Sequence, residues 1–277
     1  CLVSRFIQLC QCLKQKKIFA LFSYLTAAGL YTSIAGRLIG ISKIYPGIRN
    51  VTLPPMKTRI NKFFTNYLAT KTIINCYSGE QNFLNKGFRP NKLTVIPNCF
   101  ENVLPYWTKE SRSNLHIITV GRFVAQKDYE TAIHSIAELK RKGHSEFVFD
   151  IVGYGVLESQ IRKWVEVYDI EDCTNIYINP DNIPELLSKA DIYLSTSLIE
   201  GTSNSIMEGM NANLPIVATN VGDNDHLVRQ NENGLLCEAG DWGALSKALE
   251  ILINDEKLRI SMGKKSKELL LKRIKKE

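Results

Sequence analysis

Glu200-Gly201-Thr202-Ser203-Asn204-Ser205-Ile206-Met207-Glu208 follows an apolar run, Ile192-Tyr193-Leu194, that reads as a buried strand with Ser195-Thr196-Ser197 at its carboxyl end. A helix is predicted next, from about Ser205 to Ala212. Asn213 suits the left-handed residue that ends a helix, and Pro215 blocks continuation. Ligands of open parallel sheets bind where strands end and helices begin. The stretch therefore offers two carboxylates, Glu200 and Glu208, beside the unpaired N–H groups of a helix start. Those N–H groups favour an anion and the carboxylates suit sugar hydroxyls, so a ligand carrying both phosphate and sugar fits. A plainer reading stands beside this one. Ser205-x-x-Glu208 is also a capping box, and Glu200 is also an ordinary solvated turn residue.

Outward from that stretch, strands alternate with helices. Strands are predicted at 115–120, 147–152, 175–178, 191–195 and 216–219, with a last short one near Leu235-Leu236, and helices include Asp128–Lys142 and Val156–Tyr168. Such alternation implies βαβ units and a parallel, doubly wound sheet, an α/β fold. Upstream, strands are predicted at Ile18–Phe22, Lys43–Tyr45, Thr72–Tyr77 and Leu93–Ile96, with Pro46-Gly47 turning the chain after the second. Helices are expected over Ala27–Leu38 and Met56–Ala69, and from Ser78 to before Gly87. The irregular run Asn98–Trp107, with Pro105 in it, makes the best domain boundary. Three segments result: 1–105, 106–263 and a basic C-terminal helix, 264–277, that is expected to return to the first domain.

A chain of 277 residues with 44% hydrophobic and 23% charged residues is globular rather than disordered and long enough for two domains. It starts at Cys1 without an initiator Met, so a missing or processed N-terminus is expected. The net charge of +7 is unevenly spread: residues 1–105 hold 14 Lys and Arg against Glu80 and Glu101 alone. A half so basic points to an anionic partner. Ile18 to Gly36 is uncharged for 19 residues, near the ~20 needed to span a membrane, but its serines, threonines and glycines divide it into a strand and a helix. Seven cysteines in no regular framework read as reduced thiols in a cytosolic compartment, and no metal site is visible.

Three further loops fall at predicted strand ends. Gly121-Arg122 and Lys127 precede a helix that Asp128 can cap, which makes a diphosphate clamp or two surface cations. Gly153-Tyr154-Gly155 lacks the third glycine of a dinucleotide fingerprint and allows either close backbone approach to a ligand or a tight turn. Asp223-Asn224-Asp225 has the form of a cation site, but Asp223 or Asn224 is better read as the N-cap of the next helix.

Taken in order, Gly121-Arg122…Lys127, Gly153-x-Gly155, Glu200-x7-Glu208, Leu214-Pro215-Ile216-Val217-Ala218-Thr219, Val221-Gly222 and Asn233-Gly234-Leu235-Leu236 resemble the family 4 (group 1) retaining glycosyltransferases. The likeness covers about residues 72–263, including Val95-Ile96-Pro97-Asn98. It implies a GT-B fold, two Rossmann-like doubly wound domains, the first incomplete here, with the active site in the cleft between them. It implies a hexosyl-type enzyme, metal-independent and without a cofactor, that takes a nucleotide sugar, UDP-linked by family frequency, as co-substrate and passes the sugar with retention to a polysaccharide or polyprenyl-diphosphate-linked glycan.

By position, the resemblance assigns the diphosphate to Arg122 and Lys127, the donor sugar to Glu200 and the ribose hydroxyls to Glu208. Backbone N–H groups of Ser203, Asn204 and Ser205 meet phosphate or sugar, Gly121, Gly153 and Gly155 let the donor approach, and Ile178-Asn179 meets the base. The sequence departs from the family pattern at Cys99 and Asn213, where glycine is usual. The first strand–loop–helix with its glycine-rich loop is absent, and the histidine often found on that domain's cleft has no counterpart. Arg49, at a predicted strand end, takes that place on the acceptor side. The basic half is then expected to face an anionic membrane, peripheral at its cytoplasmic face, with no nucleic acid as partner; this chain, with its first domain interrupted, is expected to be inactive by itself. Two other classes remain: a nucleotide-sugar epimerase of the same architecture, and a non-catalytic basic nucleic-acid-binding protein, against which stands the lack of any recognised motif.

Overall fold

The computed structural model describes residues 2–98, 100, 103 and 114–274. The chain divides into two units, Cys1–Asn98 and Cys99–Glu277. The boundary expected at 105/106, Cys99 and the last three residues lie outside the described residues.

In the first unit the order is α1 (Leu2–Gln15), β1 (Ala20–Tyr24), α2 (Thr26–Leu38), β2 (Lys43–Ile48), α3 (Pro55–Tyr67), β3 (Thr72–Ile74), α4 (Tyr77–Asn85) and β4 (Leu93–Val95). The four strands pair in parallel in chain order. Sequence reasoning passed over α1, whose Arg5, Lys14 and two cysteines hide a stripe of Phe6, Leu9 and Leu13 that packs with Leu21, Ala35 and Ile44. The uncharged run from Ile18 breaks into β1 and α2 at Leu25, and among the described residues no helix is long and apolar enough to cross a membrane. Pro46-Gly47 does not turn the chain; both residues lie inside β2. The strand tolerates the proline because of where its missing N–H points. Ile44 uses its N–H and C=O on the side toward β3, bonding Thr70, and by alternation Pro46 faces the same side. Registered pairing with β3 begins only at Gly47, so little of the ladder is lost.

The second unit runs β5 (Leu115–Arg122), α5 (Tyr129–Arg141), β6 (Phe147–Tyr154), α6 (Glu158–Val167), β7 (Thr174–Ile178), α7 (Ile183–Lys189), β8 (Ile192–Ser195), α8 (Asn204–Asn211), β9 (Ile216–Thr219), α9 (Asn224–Leu227), β10 (Gly234–Cys237), α10 (Trp242–Asn254) and α11 (Glu256–Ile274). Its six parallel strands lie in the order β10-β9-β8-β5-β6-β7. Alternate residues of these strands serve two cores. Ile117, Ile151, Leu194 and Val217 pack with α5, α6 and α10, while Ile118, Val152, Tyr193 and Ala218 pack with α8 and Leu270 of α11. Helices thus cover both faces, which is why the strands read as near-continuous apolar runs. α11 passes unbroken through residue 264 and packs against α8, α10, β9 and β10.

This order has a direct consequence for function. The chain winds outward from β5 to β7, then returns to place β8 on the other side of β5. The strand order therefore reverses between β5 and β8, and the crevice outside their carboxyl ends is where such sheets bind ligands.

Candidate functional site

The loop leaving β5 is shaped by its neighbour on β6. Phe123 turns into the core, its N–H donating to Tyr154 O at 2.7 Å and its carbonyl accepting from Leu157 N at 3.0 Å. A Cβ on Gly155 would stand 2.6 Å from Phe123 O, and one on Gly153 only 1.8 Å from Gly121 O. Any side chain there would push the two loops apart. The loop closes with a 3-10 turn over Ala125–Lys127 and with Asp128, which caps α5 by accepting from Thr131 N at 3.4 Å, as its place in the sequence suggested. The stem of Lys127 passes over Gly121, and Tyr129, its phenol pushed well up by burial, donates to Gly121 O at 2.9 Å.

The loop leaving β8 is strapped to this one by four hydrogen bonds. Leu198 N donates to Gln126 O at 2.9 Å, and Gln126 Nε2 to Ile199 O at 2.6 Å. Thr196 Oγ1 lies 3.0 Å from Lys127 O and 2.8 Å from Asp128 O. Across the strap, Lys127 Nζ meets Glu200 Oε1 at 2.6 Å, and Ser197 Oγ donates to the same oxygen at 2.7 Å. Glu200 is therefore no solvated turn residue; it is only 7% exposed and held from two sides. Gly222, at φ 59°, makes room for it, since a Cβ there would fall 1.9 Å from Glu200 O.

The start of α8 settles the second glutamate. Ser203 is the N-cap, its Oγ accepting from Ile206 N at 3.5 Å, so the helix begins one residue earlier than predicted. A capping box would then need its acid at Ile206, and the Ser205-x-x-Glu208 reading fails. Glu208 lies a further turn along, half-buried, where burial raises its carboxyl above the ordinary range despite the opposing pull of Lys127. Beneath, Tyr193 donates to Val120 O at 3.2 Å and bonds Ser205. Asn213, at φ 58°, ends the turn as expected.

Lys127, Glu200, Glu208 and Ser203–Ser205 thus converge at the β5/β8 crevice. Ile178 and Asn179 sit at the end of β7 next to Gly153, with Asn179 N donating to Gly153 O at 2.9 Å. Arg122 is exposed at the end of β5, and its side chain pairs with no described residue. Arg49 is exposed just past the carboxyl end of β2, in the first unit. Asp223 is the N-cap residue of α9, as expected, but its side chain makes no capping hydrogen bond; it accepts from Thr202 Oγ1 at 3.1 Å, and Asn224 Nδ2 donates to Thr219 O at 2.8 Å. Asp225 is exposed while Asp223 is buried, and among the described residues no group of three or more His, Cys, Asp or Glu is placed to hold a metal.

Sequence reasoning missed Gln126, Thr196 and Ser197, which position the pair. The signal for Thr196 and Ser197 was the polar run closing β8; Gln126 carried none. The chemistry available is a partly buried ammonium and a helix start for an anion, with two carboxylates for hydroxyl donors.

Residues 108–269 match the family model described as "Glycosyl transferases group 1". An uncharacterized glycosyltransferase of Haemophilus influenzae is 28% identical over 213 residues, 76% of this chain and 60% of that protein. The UDP-Gal:alpha-D-GlcNAc-diphosphoundecaprenol alpha-1,3-galactosyltransferase of Escherichia coli is 25% identical over 92% of this chain and 71% of its own length. The chain spans less than two thirds of several curated relatives, 60%, 36% and 57% of three of them. Among solved structures, Anabaena Alr3699/HepE in complex with UDP aligns with a TM-score of 0.85 at 18% identity, covering 97% of this chain and 78% of HepE. With similar neighbours such as TarM, that likeness gives the chain a GT-B fold.

Proposed function

This chain belongs to the group 1 glycosyl transferases, and from that premise we propose that it serves to transfer a hexosyl unit, with retention, from a UDP-linked sugar to a polyprenyl-diphosphate-linked glycan or a polysaccharide. The single observation that carries the reading is the buried Lys127–Glu200 pair beside the start of α8, at the reversal point of the sheet. The HepE structures with UDP and with UDP-glucose, and the undecaprenyl-linked acceptor in the E. coli relative's name, support the donor and acceptor classes.

The chemistry follows from the charges. As the bond between the anomeric carbon and the diphosphate oxygen breaks, positive charge develops on the sugar and negative charge on the departing diphosphate. Lys127, Arg122 and the N–H groups at Ser203–Ser205 stabilise that negative charge more in the transition state than before it. An arriving diphosphate competes with Glu200 for the Lys127 ammonium, which releases Glu200 to a sugar hydroxyl, while Glu208 holds the ribose. The acceptor hydroxyl attacks the same face that the diphosphate leaves, its oxygen forming the new bond to the anomeric carbon and its proton passing to the leaving phosphate oxygen. No metal is needed in this scheme.

The first unit serves the acceptor side: its basic surface meets an anionic membrane at the cytoplasmic face, each basic residue near the lipid contributing about 1 kcal/mol, and Arg49 reaches the acceptor. Incubating the intact protein with UDP-sugars, with and without a lipid-linked acceptor, tests the reading. Transfer product only in the presence of acceptor supports it; an isomerised UDP-sugar in its absence supports an epimerase instead. Wild-type turnover by Arg49→Ala removes that residue's role, and vesicle binding indifferent to anionic lipid and salt removes the membrane.

A further inference from the structure

Among the described residues, Lys267 is the one lysine in the set of largest fully buried side chains, only 1% exposed. It stands on α11, and its Nζ donates to Asn211 at both the main-chain O, 2.6 Å, and Oδ1, 2.7 Å. Asn211 is the last residue of α8. Its carbonyl belongs to the set that a helix end leaves without an intrahelical partner, and a cation there meets the negative end of the helix dipole. The opposite end of the same eight-residue helix presents Ser203–Ser205 to the crevice, about 12 Å away along the axis.

The surroundings hold α11 close. A Cβ on Gly263 would lie 2.1 Å from Asn213 O, so the helix backbone rests against the turn that ends α8. Ser266 Oγ accepts from Asn233 Nδ2 at 3.3 Å and donates to Asn233 O at 3.2 Å, tying the preceding residue to the loop before β10. Burying an ammonium is expensive even when it is hydrogen-bonded, and a hydrophobic residue of similar volume would fill the place at lower cost.

We propose that Lys267 is a positioning residue for the nucleotide-sugar site, fixing α8 from its far end so that the Ser203–Ser205 N–H groups and Glu208 are held at the angle the donor requires. The inference rests on the donor site described above. It adds a residue remote from that site and on a different helix.

The test compares the intact wild-type protein with Lys267→Met, which keeps the volume and removes the charge, and with Lys267→Arg, which restores a cation. UDP affinity is measured by calorimetry well below the melting temperature, and amide exchange is followed by mass spectrometry. Lys267→Met is expected to weaken UDP about tenfold, from the loss of a charged hydrogen bond. It should also speed exchange in the first turn of α8 relative to β5 and β6, with partial recovery in Lys267→Arg. Unchanged UDP affinity with unchanged α8 exchange, whichever way the melting temperature moves, makes Lys267 a packing residue only and overturns the proposal. Should Lys267→Met fail to fold, Asn211→Leu removes the Oδ1 acceptor and must show the same pattern in smaller degree; no effect there overturns it equally. If the wild-type protein binds no UDP, the donor reading fails, while the exchange rates in α8 still decide whether Lys267 sets the helix.

Discussion

Lys127 and Glu200 meet at 2.6 Å although 73 residues separate them, because each follows one of the two strands at which the sheet reverses its order. Both side chains are largely buried, at 17% and 9% exposure. The ammonium is therefore held in a low-dielectric place by a carboxylate that a phosphate can displace, which is the arrangement the proposed chemistry uses.

Removing Lys127 strands Glu200. Lys127→Ala should lower turnover by about 10²–10³-fold, as for the loss of a transition-state donor. It should also lower unfolding free energy by ~3 kcal/mol, because a buried charge loses its partner. The double variant Lys127→Ala/Glu200→Gln should regain most of the stability and none of the turnover. Urea unfolding beside a steady-state assay separates the two effects.

Glu208 titrates in the useful direction. Its carboxyl is raised above the ordinary value of 4.5 by burial. Affinity that depends on its ionised form is present above that raised pKa and is lost as the pH falls through it, earlier than an exposed carboxylate would lose it. Stability runs the other way, since the folded state binds the extra proton in the same window. Calorimetric titration of UDP from pH 8 downward should show in wild type a component of the loss that is missing in Glu208→Gln, beyond the titration of the UDP phosphate common to both.

Gly222→Ala should disrupt the site without removing any of its polar groups. The added Cβ meets Glu200 O at 1.9 Å in a backbone conformation that L-residues rarely adopt. A loss of UDP binding with a fall in melting temperature is expected; normal binding would show that the loop at Glu200 moves freely.

Lys267 gives a stability signature of unusual sign. Burial pushes it down from 10.5 to about 8. Below pH 8 both folded and unfolded chains carry the proton and the buried charge costs stability. Between about 8 and 10.5 the unfolded state binds more, so this group's contribution rises with pH, by up to ~1.4 kcal/mol per unit. The difference in urea midpoint between wild type and Lys267→Met should therefore shift toward wild type across that window.

Much of this was legible in the sequence, for reasons that differ by element. The strands of the second unit are covered on both faces, so Ile192-Tyr193-Leu194 and Ile216-Val217-Ala218 read as uninterrupted apolar runs. Asn213 announced the end of α8 because few residues accept φ 58°. What the sequence did not carry is long-range pairing: that Glu200 bonds Lys127, or that Ser197 and Gln126 brace the pair, depends on strand order. The cap of α8 was misplaced because Ser203 and Ser205 are equally good caps by composition, and only the turn geometry chooses between them. In the first unit, Pro46-Gly47 read as a turn by propensity, whereas the sheet places both residues where a missing N–H costs little.

The central claim is that the second unit grips a diphosphate through Lys127 and the start of α8. Calorimetry of the intact protein with UDP and with uridine, repeated on Lys127→Ala, tests it most directly. The account predicts that UDP binds wild type at least 100-fold more tightly than uridine, about the worth of a pair of charged hydrogen bonds, and that most of this preference disappears in the variant. Equal affinity for the two ligands in wild type, or a preference that Lys127→Ala leaves untouched, contradicts it.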